Sequence, residues 1–259
     1  MLVKNIKLKN DMVEVVLENE IFFISKENYI ENPIAIASDI DKAKIDYLLN
    51  QEKVIEGKAK LIKLINKKVL TEYESFMYLK QEGINKDDSK KIILSLKNIG
   101  LINDEYNASL IVDSLLFKRK GKLEIKKILI EKKIDENIID KVIGEIEDDV
   151  YLDNFNKIFN KYLKMYSNKS YKLKENMIIS KLKEYGYENE LISSIVIEKD
   201  NKEEIEMARK NLLKILKNKR FDLNDFENIN KIKIKLSMKG FSYDIINLVL
   251  EEVIKNETY

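Results

Sequence analysis

The chain has 259 residues, 44% hydrophobic and 36% charged, a balance that excludes a disordered tail and leaves apolar material for a sizeable core. It has no cysteine and no histidine, which removes disulfide frameworks, thiolate chemistry and imidazole proton transfer near neutral pH. Net charge is only +2, unevenly spread: the first 57 residues hold 7 Lys against 11 Asp or Glu, and the remainder 40 basic against 34 acidic residues.

Residues 2–8 (LVKNIKL), 12–17 (MVEVVL) and 21–24 (IFFI) are short β-branched or aromatic runs separated by Asn10-Asp11 and Glu18-Asn19-Glu20. They predict a small antiparallel sheet. Glu14, Glu18 and Glu20 interrupt the apolar residues, so this stretch lacks the unbroken apolar core of a secretion signal. No later run approaches the roughly 20 apolar residues of a membrane span; a cytoplasmic protein with no membrane partner is expected. Ser25 to Asn32 reads as a helical turn before Pro33, and Asp39 to Asn50 as a short helix through Ile40, Ala43, Ile45, Tyr47 and Leu48. Residues 1–57 thus form an amino-terminal β region with a short helix, beyond which the pattern is helical.

Four stretches then repeat one pattern: residues 78–98 (YLKQEGINKDDSKKIILSLKN), 128–146 (ILIEKKIDENIIDKVIGEI), 181–199 (KLKEYGYENELISSIVIEK) and 235–253 (KLSMKGFSYDIINLVLEEV). They align without gaps on Leu79, Leu129, Leu182 and Leu236, spaced 50, 53 and 54 residues apart, and such a period marks an array. Four residues past each leucine stand Gly83, Lys133, Gly186 and Gly240, where a helix ending in the left-handed conformation favours glycine. Lys133 either takes about 1 kcal/mol of strain in that conformation or ends its helix differently. Ile84, Ile134, Tyr187 and Phe241 follow, placed to pack across the turn.

The next helix carries Ile138, Ile139, Val142 and Ile143 in the second copy, Leu191, Ile192, Ile195 and Val196 in the third, and Ile245, Ile246, Val249 and Leu250 in the fourth. This spacing puts each set on one helix face. The first copy keeps Ile92 and Ile93 but has Asp88 and Ser89 earlier, which predicts a shallower start. One further helix precedes each pair, at roughly 58–67, 104–118, 152–167 and 202–217. Thr71 with Glu74 signals a capping box, and Asn103-Asp104 opens a helix. The expected fold is mainly α: an elongated, curved array of about four tandem three-helix repeats, at 58–102, 103–150, 151–200 and 201–259, behind a small antiparallel β region.

The stretch GLINDEYNASLIVDSLLFKRKGKLEIKKILIEKKI, residues 100–134, resembles the RecX family of bacterial regulators of the RecA recombinase, with Gly100, Leu101, Ile102, Asp104, Tyr106, Ala108 and Gly121 at the matching positions. The amino-terminal strands followed by FISKENYIENPI are similar to the extension of longer members, so the resemblance covers nearly the whole chain. Lys122 stands where members usually place proline, and only Arg119, Arg209 and Arg220 represent arginine; lysine supplies charge without the bidentate fork. The resemblance implies a regulator that lies in the groove of the RecA filament on single-stranded DNA and hinders strand exchange, ATP hydrolysis and the coprotease reaction.

Three basic stretches qualify for contact with phosphates or an acidic groove: residues 117–133 with eight Lys or Arg, 157–183 with eight Lys, and 206–220 with six Lys or Arg. The candidate contact residues are Lys118, Arg119, Lys120, Lys122, Lys126 and Lys127, where the basic run coincides with the family motif, and Lys164, Lys169, Lys172, Arg209 and Lys210. Tyr106, Tyr162, Tyr166 and Tyr171 suit either base stacking or, the preferred reading, a helical core. Glu145, Glu147, Asp148 and Asp149 read as a solvated junction rather than a divalent-ion site.

Scattered glycines make no phosphate-binding loop, so no catalytic residue, cofactor or metal is expected and the chain is not read as an enzyme. The partners implied are the RecA filament and, weakly, single-stranded DNA, with the chain a monomer. An alternative is a helical protein acting on DNA directly, such as a helix-turn-helix-like transcription regulator; a structural adaptor with solubilising lysines is a third reading.

Overall fold

The structure, a computed structural model, describes residues 1–218, 221, 223 and 225–257. Strands β1 (Val3–Lys9), β2 (Met12–Leu17) and β3 (Ile21–Ser25) form one antiparallel sheet in that order. Alternation turns Val13, Val15, Leu17, Phe22 and Ile24 inward, onto Ile45 and Leu48 of the first long helix. Ser25 caps α1 (Lys26–Glu31), its hydroxyl accepting from the Asn28 N–H at 3.2 Å. The buried Glu52 carboxylate accepts from the Ser25 N–H at 2.7 Å, its hydroxyl at 3.0 Å and the Asn28 amide at 3.1 Å, and so joins sheet to helix.

The two helices expected at 39–50 and 58–67 are one, α2 (Lys42–Ile65). Gly57, at the expected junction, does not end a helix. It is buried, and a Cβ there would lie 2.2 Å from Ile84 Cδ1, so this glycine serves close helix packing. The chain continues through α3 (Glu72–Gln81), α4 (Lys86–Asn98), α5 (Asp104–Phe117), α6 (Lys122–Glu131), α7 (Glu136–Gly144), α8 (Asp148–Met165), α9 (Tyr171–Tyr185), α10 (Asn189–Ser193), α11 (Asn201–Asn218), α12 (Phe226–Ser237) and α13 (Tyr243–Glu257). Helices α2, α3 and α4 pack on one another, as do α11, α12 and α13. Among the described residues no helix is long and apolar enough to cross a membrane.

One turn recurs in every repeat. Leu79, Leu129, Leu182 and Leu236 are fully buried. The N–H of Ile84, Ile134, Tyr187 and Phe241 donates to the carbonyl of the leucine five residues earlier, at 3.1, 3.2, 3.1 and 3.3 Å. This is the Schellman closure, which requires a left-handed residue in between. Gly83, Lys133, Gly186 and Gly240 supply it at φ 80°, 57°, 85° and 87°, so Lys133 takes the strained alternative.

One helix start and one helix end differ from expectation. Ser89 is fully buried, its hydroxyl directed to the Ile84 carbonyl at 3.4 Å, so α4 begins no shallower than its counterparts. Helix α10 stops at Ser193 and leaves Val196 81% exposed. The Ser193 and Ser194 hydroxyls donate to the carbonyls of Glu190 and Leu191 at 2.8 and 2.7 Å, back-bonding that competes with helix continuation.

The chain divides into two compact units, Met1–Ile111 with Leu129–Val142, and Val112–Ile128 with Ile143–Tyr259. In the first, Thr71 and Glu74 complete the capping box, Thr71 Oγ1 accepting from the Glu74 N–H at 3.2 Å and the Glu74 carboxylate from the Thr71 N–H at 3.0 Å. Asp104 accepts from the Glu72 N–H at 2.7 Å and the Asn107 amide donates to the Leu70 carbonyl at 2.8 Å, while Ile102 and Ala108 are buried. These positions of the 100–108 motif therefore act as packing and caps. In the second unit, Ala208, Leu212, Ile232, Leu236, Ile246 and Val249 are central to a core built by α11, α12 and α13.

Candidate functional site

All eleven basic residues singled out from the sequence fall within the second unit. At the end of α5 the same Schellman closure recurs: Arg119 N–H donates to Leu116 O at 2.8 Å and Lys120 N–H to Leu115 O at 2.9 Å. Arg119 therefore occupies the left-handed position, φ 57°, where glycine is the unstrained residue. The following backbone is pinned to the α9 turn: Gly121 N–H donates to Tyr185 O at 2.7 Å, and Leu123 N–H to Gly186 O at 3.0 Å. The Tyr187 hydroxyl donates to Arg119 O at 3.0 Å, and Lys122 N–H to the Tyr151 hydroxyl at 3.2 Å. A Cβ on Gly121 would lie 2.2 Å from Gly186 O, so the close approach itself demands glycine.

The bed beneath this loop is aromatic. Tyr187 lies edge-on to Phe155, centroids 5.1 Å apart, and tilted to Tyr151 at 5.5 Å. Burial raises the Tyr151 phenol above its ordinary range, and its hydrogen bond to the Glu188 carboxylate adds to this; burial also raises Tyr187. Both stay protonated donors.

The basic side chains divide by what holds them. Lys118, Arg119 and Lys127 are exposed and make no ion pair among the described residues. Lys120 is half-buried, 3.7 Å from Glu124 and 5.4 Å over the Tyr185 ring; Lys122 is 3.7 Å from Asp148 and 4.8 Å over Tyr151. Lys126 is half-buried on α6. Arg209 is committed within the fold, 2.6 Å from Glu206 and paired also with Glu252 of α13. Lys164, Lys172 and Lys210 are exposed on α8, α9 and α11. Lys219 and Arg220, from the third basic stretch, lie outside the described residues.

Two groupings escape a linear reading. Burial holds the Lys239 ammonium below its ordinary value, and the nearby charges of Lys169 and Lys214 depress it further. These three lysines, from distant sequence positions, therefore share one neighbourhood. Tyr162 and Tyr166 stack at 5.7 Å, Tyr185 meets Tyr162 edge-on at 6.3 Å, and Lys161 lies 5.2 Å over Tyr162. Only the i, i+4 spacing of Tyr162 and Tyr166 signalled this in the sequence.

Of the tyrosines, Tyr162 and Tyr171 are buried, as the core reading expects. Tyr171 bonds Glu203 and accepts from the Asp200 N–H at 3.2 Å, steadying the start of α11. Tyr106 is 62% exposed, against that expectation. The buried stripe of α5 is Ala108, Val112 and Leu115, at spacings of four and three, and Tyr106 falls on the opposite side.

A separate groove of about 1000 Å³ opens in the first unit, lined by Tyr73, Phe76, Leu94, Lys97 and Asp104 among others. No candidate contact residue lines it. Burial raises the Asp104 carboxyl there, and the neighbouring Glu72 charge contributes, against the lowering effect of its hydrogen bond from the Glu72 N–H.

No family model matches the chain. Among curated proteins, a regulatory protein RecX of Listeria monocytogenes serotype 4b (strain CLIP80459) is 30% identical over 219 residues, spanning 82% of this chain and 81% of the relative. A regulatory protein RecX of Lactococcus lactis subsp. cremoris (strain SK11) is 26% identical over 244 residues, 91% of each chain. Among solved structures, a regulatory protein RecX superposes with a TM-score of 0.63 over 75% of this chain and 98% of its own, at 18% identity, a likeness of fold. RecX from Lactobacillus salivarius matches at TM-score 0.52 and 26% identity over 56% of this chain and 94% of its own. With a curated relative 30% identical over 82% of this chain and a matching helical fold, the protein belongs to the RecX family of regulatory proteins.

Proposed function

We propose that the protein is a monomeric, cytoplasmic, non-enzymatic regulator that binds the RecA recombinase filament on single-stranded DNA and restrains strand exchange, ATP hydrolysis and the coprotease reaction. One observation carries the reading: the turn at 118–122 is a basic loop fastened through its backbone, so that its cations need little ordering on contact. Pre-organisation reduces the entropy lost on binding. Lys118, Arg119 and Lys127, exposed and without internal ion pairs among the described residues, are the primary contact residues. Lys120, Lys122 and Lys126 flank them, and Lys164, Lys169, Lys172 and Lys210 extend the positive field along α8, α9 and α11. Arg209 contributes to the fold instead, through its two carboxylate partners.

The test is ATP hydrolysis by the cognate recombinase on single-stranded DNA, with this protein titrated against a variant carrying Lys118→Glu, Arg119→Glu and Lys127→Glu. That combination leaves the Lys120–Glu124 and Lys122–Asp148 pairs in place. Inhibition by the native chain, with a marked loss in the variant, is the expected result. An equal effect of both proteins refutes the assigned surface. Absence of any effect on an assembled filament refutes the filament reading, and preference for a particular duplex at fixed salt indicates a direct DNA regulator.

A further inference from the structure

The second unit carries a row of rings that the filament contact does not use, set between two of its flanking cations, Lys120 and Lys169. Tyr185, Tyr162 and Tyr166 follow one another at centroid spacings of 6.3 and 5.7 Å. Tyr166 and Tyr185 are only half-buried, whereas Tyr162 is seated in the core. Lys120 stands 5.4 Å over the Tyr185 ring and continues the row into the basic loop. At the other end the chain turns directly from Tyr166 into Lys169, whose N–H donates to Tyr166 O at 3.0 Å and which neighbours Lys239. Lys181 borders the row and is paired with Glu184 at 2.6 Å, and Glu124 lies 3.7 Å from Lys120.

We propose that this row is a binding site for single-stranded nucleic acid, in which bases stack on Tyr166 and Tyr185 while Lys120 and Lys169 take phosphates on either side. Three physical points favour that ligand. Partly exposed rings next to lysines offer both a stacking surface and a backbone charge partner, the combination that sequence-tolerant single-strand sites use. A duplex keeps its base faces covered by its own stack, so it gains nothing from the rings. An acidic protein surface would meet the lysines but has no requirement for a stacked tyrosine pair. Tyr162, packed beneath, fixes the plane of Tyr166, so little ring freedom is lost on stacking. The site goes beyond the filament reading, because it requires no recombinase.

The experiment is fluorescence anisotropy of a labelled oligothymidylate, alongside an abasic oligonucleotide of equal length, with the full chain and no recombinase. The base-bearing strand should bind more tightly than the abasic one by roughly 5- to 100-fold. Tyr166→Leu should remove most of that difference, Tyr166→Phe should keep it, and Lys169→Gln should lower the salt slope by about 0.7. Equal affinity for the two strands of the native chain overturns the proposal without any variant, as does a Tyr166→Leu protein that still distinguishes them. A parallel recombinase ATPase assay separates the readings. Inhibition retained by Tyr166→Leu, together with lost base discrimination, supports this site and leaves the filament contact standing. Base-dependent binding with no ATPase effect supports this site and removes the filament reading.

Discussion

Replacing Gly186 by alanine should damage the protein in a way that the same change at Gly83 does not. Both glycines occupy the left-handed position of the repeated turn, at φ 85° and 80°. A Cβ at Gly83 would meet nothing within 4 Å. There the cost is the left-handed backbone, about 1–2 kcal/mol, reduced by about 0.4–1 kcal/mol because alanine also restricts the unfolded chain. A net loss of about 1 kcal/mol follows. At Gly186 the same backbone term applies, but the Cβ would lie 2.4 Å from both Cβ and N of Glu124. One of those atoms is main chain in the first turn of α6, so no rotamer change relieves it, and overpacking adds roughly 1–3 kcal/mol. The expected total is about 2–4 kcal/mol.

The assay is urea denaturation followed by circular dichroism, each variant referred to the transition of its own unit. Gly186→Ala should also displace the 118–122 loop, which hangs on the Tyr185 and Gly186 carbonyls, and so weaken recombinase inhibition at temperatures where the chain remains folded. Gly83→Ala should leave inhibition unchanged. Losses that agree to within about 0.5 kcal/mol would show that α6 does not pack against the α9 turn as described.

Lys133→Gly should stabilise the chain by about 0.5–1 kcal/mol, since it relieves a left-handed lysine at φ 57° while loosening the unfolded chain; an unchanged denaturation midpoint would contradict that. Arg119→Gly relieves the same geometry at φ 57° yet removes a proposed contact cation. It should raise the denaturation midpoint and lower recombinase inhibition together, and a parallel change in both measurements would refute the proposed role. For Glu74, burial raises the carboxyl, but hydrogen bonds from Lys132 and Thr71 outweigh it and leave the group below its ordinary value of 4.5. A depressed carboxylate stabilises the fold above its unfolded value and loses that contribution as pH falls through the folded one. Glu74→Gln keeps the capping pattern and removes the pair with Lys132 at 2.6 Å. It should therefore cost about 0.5 kcal/mol at neutral pH, and the difference should vanish in acid denaturation curves recorded well below pH 4.5.

Much of the fold was legible because its signals are local. Glycine or a strained substitute follows each buried leucine by four residues, and the same hydrogen bond closes the turn at Leu79, Leu129, Leu182 and Leu236. The capping box at Thr71 and the three alternating strands are likewise decided within a few residues. The junction near residue 57 is not legible locally, for a reason of the opposite kind: whether a glycine ends a helix or admits a neighbour depends on Ile84, 27 residues away. The exposure of Tyr106 and Val196 likewise escapes the pattern, since the face that α5 buries and the serine back-bonding at the end of α10 appear only in three dimensions.

The sequence by itself determined the repeat, the secondary structure it imposes, and the segment richest in positive charge, because periodicity, turn chemistry and composition are properties of neighbouring residues. Only the tertiary structure decided which cations stay available. Arg209 and Lys118 are both cations in basic stretches, yet one is neutralised by Glu206 and Glu252 and the other is exposed without an ion pair among the described residues. It also decided that Tyr185 joins Tyr162 and Tyr166, and that the charges of Lys169 and Lys214 both bear on Lys239. Electrostatic and aromatic interactions depend on distance in space, and these side chains come from helices that only the packed core brings together.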